Sequence, residues 1–382
     1  MKKNVYLDYN ATTHVDKRVL EAMLPYFTNE FANAASNHDF GKSIKKSVEN
    51  ARQKVAELIS ANANEIIFTS GATEAINLAI KGLAEYNFNE RKHIITSQTE
   101  HKAVLDVCQY LETKGFQITY LPVSNDGQIS LDELKAAIKE DTILISIMYV
   151  NNETGVIQNI QEIAELAEKS NCFFMTDATQ AVGKRNLNVK ELKVDLMSLS
   201  GHKFYGPKGI GALYVNRSKV NLIPLLHGGG HEFGLRSGTL NVPAIIGFGK
   251  ACEIALNEII ENEAKIRILR NHFESELLNF NNIFINGNKN NRLFNVANIL
   301  FKNIDPDFFK AQLNNIAFSN GSACTSKLIQ PSHVLKAMGL TDKEALQSFR
   351  FSFGKNNTQE EIEYVLNEIK SVILTANKLE LN

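Results

Sequence analysis

The chain has 382 residues, with 41 Lys and Arg against 42 Asp and Glu, for a formal charge of −1. Apolar residues make up 44% and charged residues 22%, the balance of a globular protein with a large core. Near-neutrality argues against non-specific nucleic-acid binding, and no run approaches the roughly 18 apolar residues of a membrane span. Cys108, Cys172, Cys252 and Cys324 share no CxxC or other metal-like spacing, so neither a zinc site nor a disulfide framework is expected. The opening MKKNVYLDYNATTH has no apolar core of signal-peptide length. The expectation is a cytoplasmic chain with reduced thiols.

Short apolar runs at Ile66–Thr69 and at residues 93–96, 118–121, 143–148, 172–176, 196–199 and 212–215 predict buried strands. Residues 103–111, 131–138 and 160–167 between them carry helical periodicity. The alternation predicts an α/β fold with a large, mainly parallel sheet. Ligands of such sheets sit beyond the carboxyl ends of the strands, so the residues after each run are candidates for a site.

The first run is followed by Ser70-Gly71-Ala72-Thr73-Glu74, which opens a helix and can cup a phosphate, although ordinary helix caps look the same. After the second comes Glu100-His101-Lys102, where a lone His is more often structural than catalytic. The fourth leads into the turn Asn151-Asn152-Glu153-Thr154-Gly155. The fifth ends at Asp177, with Gln180 one turn on; a carboxylate there is costly to bury without a cationic partner. The sixth delivers Ser200-Gly201-His202-Lys203, inside the stretch 201–238 that holds nine of the 22 glycines.

Residues 244–280 read as one long helix, with no Gly or Pro after Gly249. Short strands and helices then alternate up to a last helix, opened by Thr358 and Glu361 at capping-box spacing. Its apolar stripe is Ile362, Val365, Leu366, Ile369 and Ile373. The division this predicts is a large domain at 15–255 and a smaller α+β domain formed by 1–14 with 256–382. Within the latter, Arg350 stands alone in the alternating strand SFRFSF, suited either to gripping a carboxylate or to an ordinary salt bridge.

Cys108 shares a helical face with Val104, Leu105 and Leu111, Cys252 sits among Ile245, Phe248 and Ile259, and Cys172 opens a strand. All three read as small core residues. Cys324 lies in SNGSACTS at 319–326, without a bulky anchor, and reads as an accessible thiol on a mobile loop. A phosphate cup, a buried carboxylate and a lysine together suit pyridoxal phosphate. A nucleotide phosphate is the other reading of the same residues, and a solvated surface lysine the bland reading of Lys203.

The segments YLDYNATT at 6–13, SGATE at 70–74, TEHK at 99–102, NNETG at 151–155, SGHKFYGPKGIG at 200–211, RSGT at 236–239 and GSACTS at 321–326 resemble the pyridoxal-phosphate cysteine desulfurases, in that family's order and over residues 5–355. The last two segments resemble its NifS/IscS-like group. The resemblance implies an aminotransferase-like fold of type I, with residues 15–255 holding the cofactor. It implies that Lys203 forms the Schiff base and moves the α-proton, that Asp177 keeps the ring nitrogen protonated, and that His101 stacks on the ring and assists proton transfers. Gln180 would meet the ring oxygen, Ala72, Thr73, Ser200 and His202 the phosphate, and Thr239 the phosphate of the neighbouring subunit's cofactor in a homodimer. Arg350 and Asn152, the latter also beside the cofactor, would place the substrate carboxylate. Cys324 would take the sulfur of L-cysteine as a persulfide and release L-alanine.

The expected acceptor is an iron–sulfur scaffold protein of IscU/NifU-like kind or another carrier, with tRNA thiolation as a further destination. Two departures stand out: Asn33-Ala34-Ala35-Ser36 where the family has Asn-Pro-Ser-Ser, and Asn320 where it has Ser. The sequence stops at KLELN, whereas some relatives carry a longer tail that helps dock the scaffold. A selenocysteine lyase or an aminotransferase would not need Cys324. A catalytically dead subunit would be expected to lack Lys203, Asp177 or Cys324, and all three are present.

Overall fold

The computed structural model describes residues 3–320 and 330–380. After a short strand β1 (Val5–Tyr6), seven strands form the central sheet: β2 (Ile66–Thr69), β3 (His93–Ser97), β4 (Gln117–Leu121), β5 (Thr142–Ser146), β6 (Phe173–Asp177), β7 (Leu196–Ser200) and β8 (Gly211–Val215). They coincide with the seven predicted runs to within a residue or two. Their order is β2-β8-β7-β6-β5-β3-β4. All pairs are parallel except those of β8, which runs antiparallel to both β2 and β7. The Gly-rich link between β7 and β8 contains no crossover helix, so the chain turns back on itself.

The sheet is apolar on both faces because helices cover both. Along β2, Ile66 and Phe68 point into one cluster with the helices Asp39–Leu58 and Val242–Leu277, while Ile67 points into another with the helix Ala72–Tyr86. Adjacent residues on β7 divide in the same way, Met197 to the first cluster and Leu196 to the second. Cys108 and Cys252 are fully buried and Cys172 nearly so, as their surroundings predict.

The long helix Val242–Leu277 begins two residues before the predicted start, with Asn241 accepting from the Ala244 amide, and Phe280 lies beyond its end. Past it, β9 (Ile283–Ile285), β10 (Val296–Phe301) and β12 (Ser348–Ser352) form an antiparallel sheet in the order β12-β10-β9, and β11 (Ile316–Ala317) pairs with β1. The last helix, Gln359–Glu380, starts at a reciprocal Thr358–Glu361 cap, and its predicted stripe is fully buried.

The N-terminal segment is held along these smaller strands. β1 adds to β11, Tyr9 N donates to the Ser352 carbonyl at 3.2 Å and Ser352 N to that of Leu7 at 2.7 Å. This track along β12 delivers Asn10, Ala11 and Thr12 to the carboxyl edge of the central sheet. Among the described residues, no helix is long and apolar enough to cross a membrane.

Candidate active site

The carboxyl ends of β2, β3, β5, β6 and β7 surround one cavity of about 550 Å³, closed from the other side by Asn10–Thr12 and Arg350. At its β2 end, Gly71 leads into the helix Ala72–Tyr86, whose first amides have no partner within the helix. A side chain at Gly211 would come within 2.4 Å of the Leu199 carbonyl and 2.7 Å of Gly71, so β8 can lie against this turn only as glycine. Glu74 accepts from the Ser70 amide at 2.8 Å and pairs with Arg236 at 2.9 Å. The carboxylate is thereby neutralised beside a turn suited to an anion.

Asp177 is the last residue of β6 and is 6% exposed. Ser198 Oγ (2.7 Å), Thr179 N (3.0 Å) and Thr179 Oγ1 all donate to its Oδ1, which leaves Oδ2 to the cavity. His101 caps the helix Lys102–Glu112: its Nδ1 accepts from Ala103 N at 3.1 Å, so the ring proton resides on Nε2. Burial, with Lys203 nearby, lowers the His101 pKa and keeps the ring neutral.

Lys203 follows β7 in a short 3₁₀ turn, and its Nζ donates to the carbonyls of Asn10 and Ala11 at 2.9 Å each. Burial first, and the Arg350 guanidinium second, bring its pKa down to about 8, against the opposing pull of Asp177 and Asp8. His202 meets Thr12 Oγ1 at 3.1 Å, and burial with Lys203, Lys208 and Lys184 lowers its pKa to about 4. Gln180 is buried, its Nε2 donating to the Asn10 carbonyl at 3.0 Å and its Oε1 accepting from Lys184 Nζ at 2.8 Å.

Arg350 forms the salt bridge that its strand left open, donating from Nη2 to Asp8 Oδ1 at 2.7 Å, and it lines the cavity as well. Its Nη1 donates to the Asn152 carbonyl at 3.0 Å, while its buried Nε has no partner among the described residues. The turn holding Asn152 is fixed by Asn151, whose Oδ1 accepts from the amides of Glu153 and Thr154.

The fold thus gathers Ala72, Thr73, His101, Asn152, Asp177, Gln180, Ser200, His202, Lys203 and Arg350 on one cavity. Thr239 is exposed and lies outside it, on the loop that also carries Arg236. Cys324 lies outside the described residues. Burial raises the other three thiols, Cys108 to about 12, Cys252 well above the ordinary range and Cys172 less far, which makes them poor nucleophiles. Asn10, Ala11 and Thr12 line the cavity, and Asp8 and Lys184 reach it only through Arg350 and Gln180, all five without a role expected from sequence. The dense small polar run YNATT was the available signal for the first three; nothing adjacent in sequence marked Asp8 as the partner of Arg350.

Residues 5–365 match the family described as aminotransferase class-V. The chain is 49% identical over 377 residues to "Cysteine desulfurase IscS" of Colwellia psychrerythraea, covering 98% of this chain and 93% of that one. It is also 49% identical over 383 residues to the protein of the same name from Pasteurella multocida, covering 99% and 95%. Among solved structures, "NIFS-LIKE PROTEIN" superposes with a TM-score of 0.92 at 39% identity over 97% of this chain and all of that one. "SspA in complex with cysteine" superposes at 0.84 and 40% identity over 93% of this chain and all of that one.

Proposed function

The chain belongs to the class-V aminotransferase family and is a pyridoxal-phosphate-dependent cysteine desulfurase, and from that premise we propose how its own residues divide the work. The observation that carries the reading is the convergence on one cavity of the helix start at Ala72, the free oxygen of Asp177 and the amine of Lys203. Those donors fit the cofactor: a helix N-terminus and hydroxyls for a phosphate, a carboxylate for a protonated ring nitrogen, a lysine for an aldehyde. Bound pyridoxal phosphate supplies an aldehyde for linkage to lysine and a ring that draws electron density from the α-carbon of an amino acid.

Ala72, Thr73, Ser200 and His202 bind the phosphate, His202 as a neutral ring because its pKa has fallen to about 4. Asp177, held by three donors on Oδ1, offers Oδ2 to the ring nitrogen. Lys203, with its pKa near 8, is free amine often enough at neutral pH to take and return a proton at the α-carbon. With the cofactor bound, His101 would lie against the ring and move protons through Nε2, and Gln180 would meet the ring oxygen. Arg350 exchanges part of its hold on Asp8 and the Asn152 carbonyl for the substrate carboxylate, with Asn152 beside it.

The Cys324 thiolate bonds to the sulfur of L-cysteine as the substrate's carbon–sulfur bond breaks. The electron pair of that bond stays on carbon, which takes up a proton to become L-alanine, and the sulfur remains as a persulfide. Its destination is iron–sulfur cluster assembly through an IscU/NifU-like scaffold, with tRNA thiolation as a second outlet. The cytoplasm suits a chain whose chemistry starts from a reduced thiol. Residues 15–255 form the cofactor-binding unit and 1–14 with 256–382 the unit bearing Cys324, a division supported by the pairing of β1 with β11. Exposed Thr239 serves the site of a second copy, which makes the working unit a homodimer.

The test is alanine release from L-cysteine by the Cys324→Ala variant. Release is expected to fall to background while the cofactor's visible absorbance stays. Undiminished turnover would overturn the persulfide route and favour a lyase or an aminotransferase reading.

A further inference from the structure

Behind the main cavity stands a second lysine, and this one is buried. Lys184 is 9% exposed and does not line the cavity that Gln180 lines. It borders instead a space of about 30 Å³ shared with Lys203 and Phe204. Among the described residues no carboxylate pairs with it, and the charges that act on it are those of two further cations, Lys203 and Arg350. Burial first, then those two charges, lower its pKa to about 7. A methionine would fill the same space without the desolvation cost, so stability alone gives no reason for a lysine.

Its position gives one. A glutamine amide has two ends of nearly equal shape, and only its partners decide which end points where. The Asn10 carbonyl can only accept and takes Nε2 at 3.0 Å, and Lys184 Nζ donates to Oε1 at 2.8 Å. Both the charged and the neutral amine retain N–H donors, so the contact does not depend on the Lys184 proton. The Asn10 carbonyl also accepts from Lys203 Nζ, so one chain of contacts runs from Lys184 through Gln180 to the lysine at the centre of the site.

We propose that Lys184 is a positioning residue that holds the Gln180 amide with its N–H groups turned toward the cavity, where they meet the ring oxygen of the cofactor. The inference rests on the reading that Gln180 touches that oxygen. Gly183, in left-handed backbone at φ +73° and packed against Phe204, provides the turn that brings Lys184 back beneath Gln180.

The experiment is a double-mutant cycle on the holoenzyme and on its cofactor-stripped form, with K184M, Q180A and the double variant. Two readouts are used: affinity of the stripped protein for pyridoxal phosphate, and the pH midpoint of the bound cofactor's absorbance change. K184M and Q180A are each expected to weaken cofactor binding roughly tenfold and to displace the midpoint, and K184M is expected to add nothing in the Q180A background. Effects that add in full, or a midpoint unmoved by K184M, would overturn the inference. An effect of K184M with none from Q180A would remove the contact assigned to Gln180 and this inference with it, while leaving the desulfurase reading intact. K184Q replaces K184M in the same cycle should the methionine variant fail to fold.

Discussion

At the scale of single residues, the site turns on how an amine is kept reactive. An exposed lysine is almost wholly charged at neutral pH. Lys203 is not, because the protein around Nζ excludes water and Arg350 adds a like charge, and together they bring the pKa to about 8. Two carbonyls hold the amine in place without the counter-charge that a carboxylate partner would bring. The free amine attacks an aldehyde and the ammonium does not, so capture of pyridoxal phosphate by the stripped protein should accelerate with pH and level off above about 8. An ordinary lysine would continue to accelerate toward about 10. Arg350→Met removes the second cause and is expected to move the midpoint upward, measured from the rate of absorbance change across pH. A midpoint that stays in place would mean that the guanidinium charge, paired as it is with Asp8, does not reach Nζ.

Among the elements, what could be read from sequence and what could not separate along a physical line. Six of the seven central strands were legible because they are buried along nearly their whole length and so appear as mostly apolar runs; β4, at the edge of the sheet, is only partly buried and was legible from its Ile118 and Leu121 alone. The last helix was legible because its cap and its stripe are local patterns. Contacts made by distant segments leave no such trace: β1 finds β11 across some three hundred residues, and Arg350 finds Asp8. The turn after β6 belongs to the same class. Nothing in Val182-Gly183-Lys184 announces that a Cβ at Gly183 would lie 2.7 Å from Phe204 Cβ and Cγ, in a backbone conformation that L side chains rarely adopt. Gly183→Ala must therefore move either Phe204, next to Lys203, or the turn itself. A loss of about 1–3 kcal/mol in chemical denaturation is expected, together with weaker cofactor retention. An alanine variant as stable as the parent would mean that the turn has room which its packing does not suggest.

For the molecule as a whole, the question is what holds the glycine-rich loop that carries Arg236 and Thr239. Its composition gives it little packing of its own, yet Glu232 within it is buried. The carboxylate takes both Arg52 amine groups, at 2.7 and 2.8 Å, and the Phe68 amide at 2.8 Å. Arg52 lies on the helix Asp39–Leu58, also donates to the Ile66 carbonyl, and has Phe68 and Phe233 against its guanidinium. One buried pair thus ties the loop to the helix and to β2, the strand that leads into the Ser70–Gly71 turn at the cavity. The backbone is bent to reach it, since Glu232 and Phe233 both adopt positive φ. Arg52 also holds the half-exposed carboxylate of Glu49 at 3.1 Å, so loss of the Glu232 charge leaves the guanidinium under-paired rather than bare, at a cost below the about 3–5 kcal/mol of a fully stranded buried charge. Glu232→Gln keeps the shape and loses the charge, so a destabilisation of about 2 kcal/mol is expected in chemical denaturation. If Thr239 serves a second copy, the loosened loop should also weaken self-association in sedimentation. Replacing both partners with methionine removes the under-paired guanidinium, leaves Glu49 half-exposed to water, and should restore part of the lost stability but not the association, because an apolar pair can fill the space without holding the loop in its bent path. Equal stability of the parent and Glu232→Gln would place the anchor of this loop elsewhere.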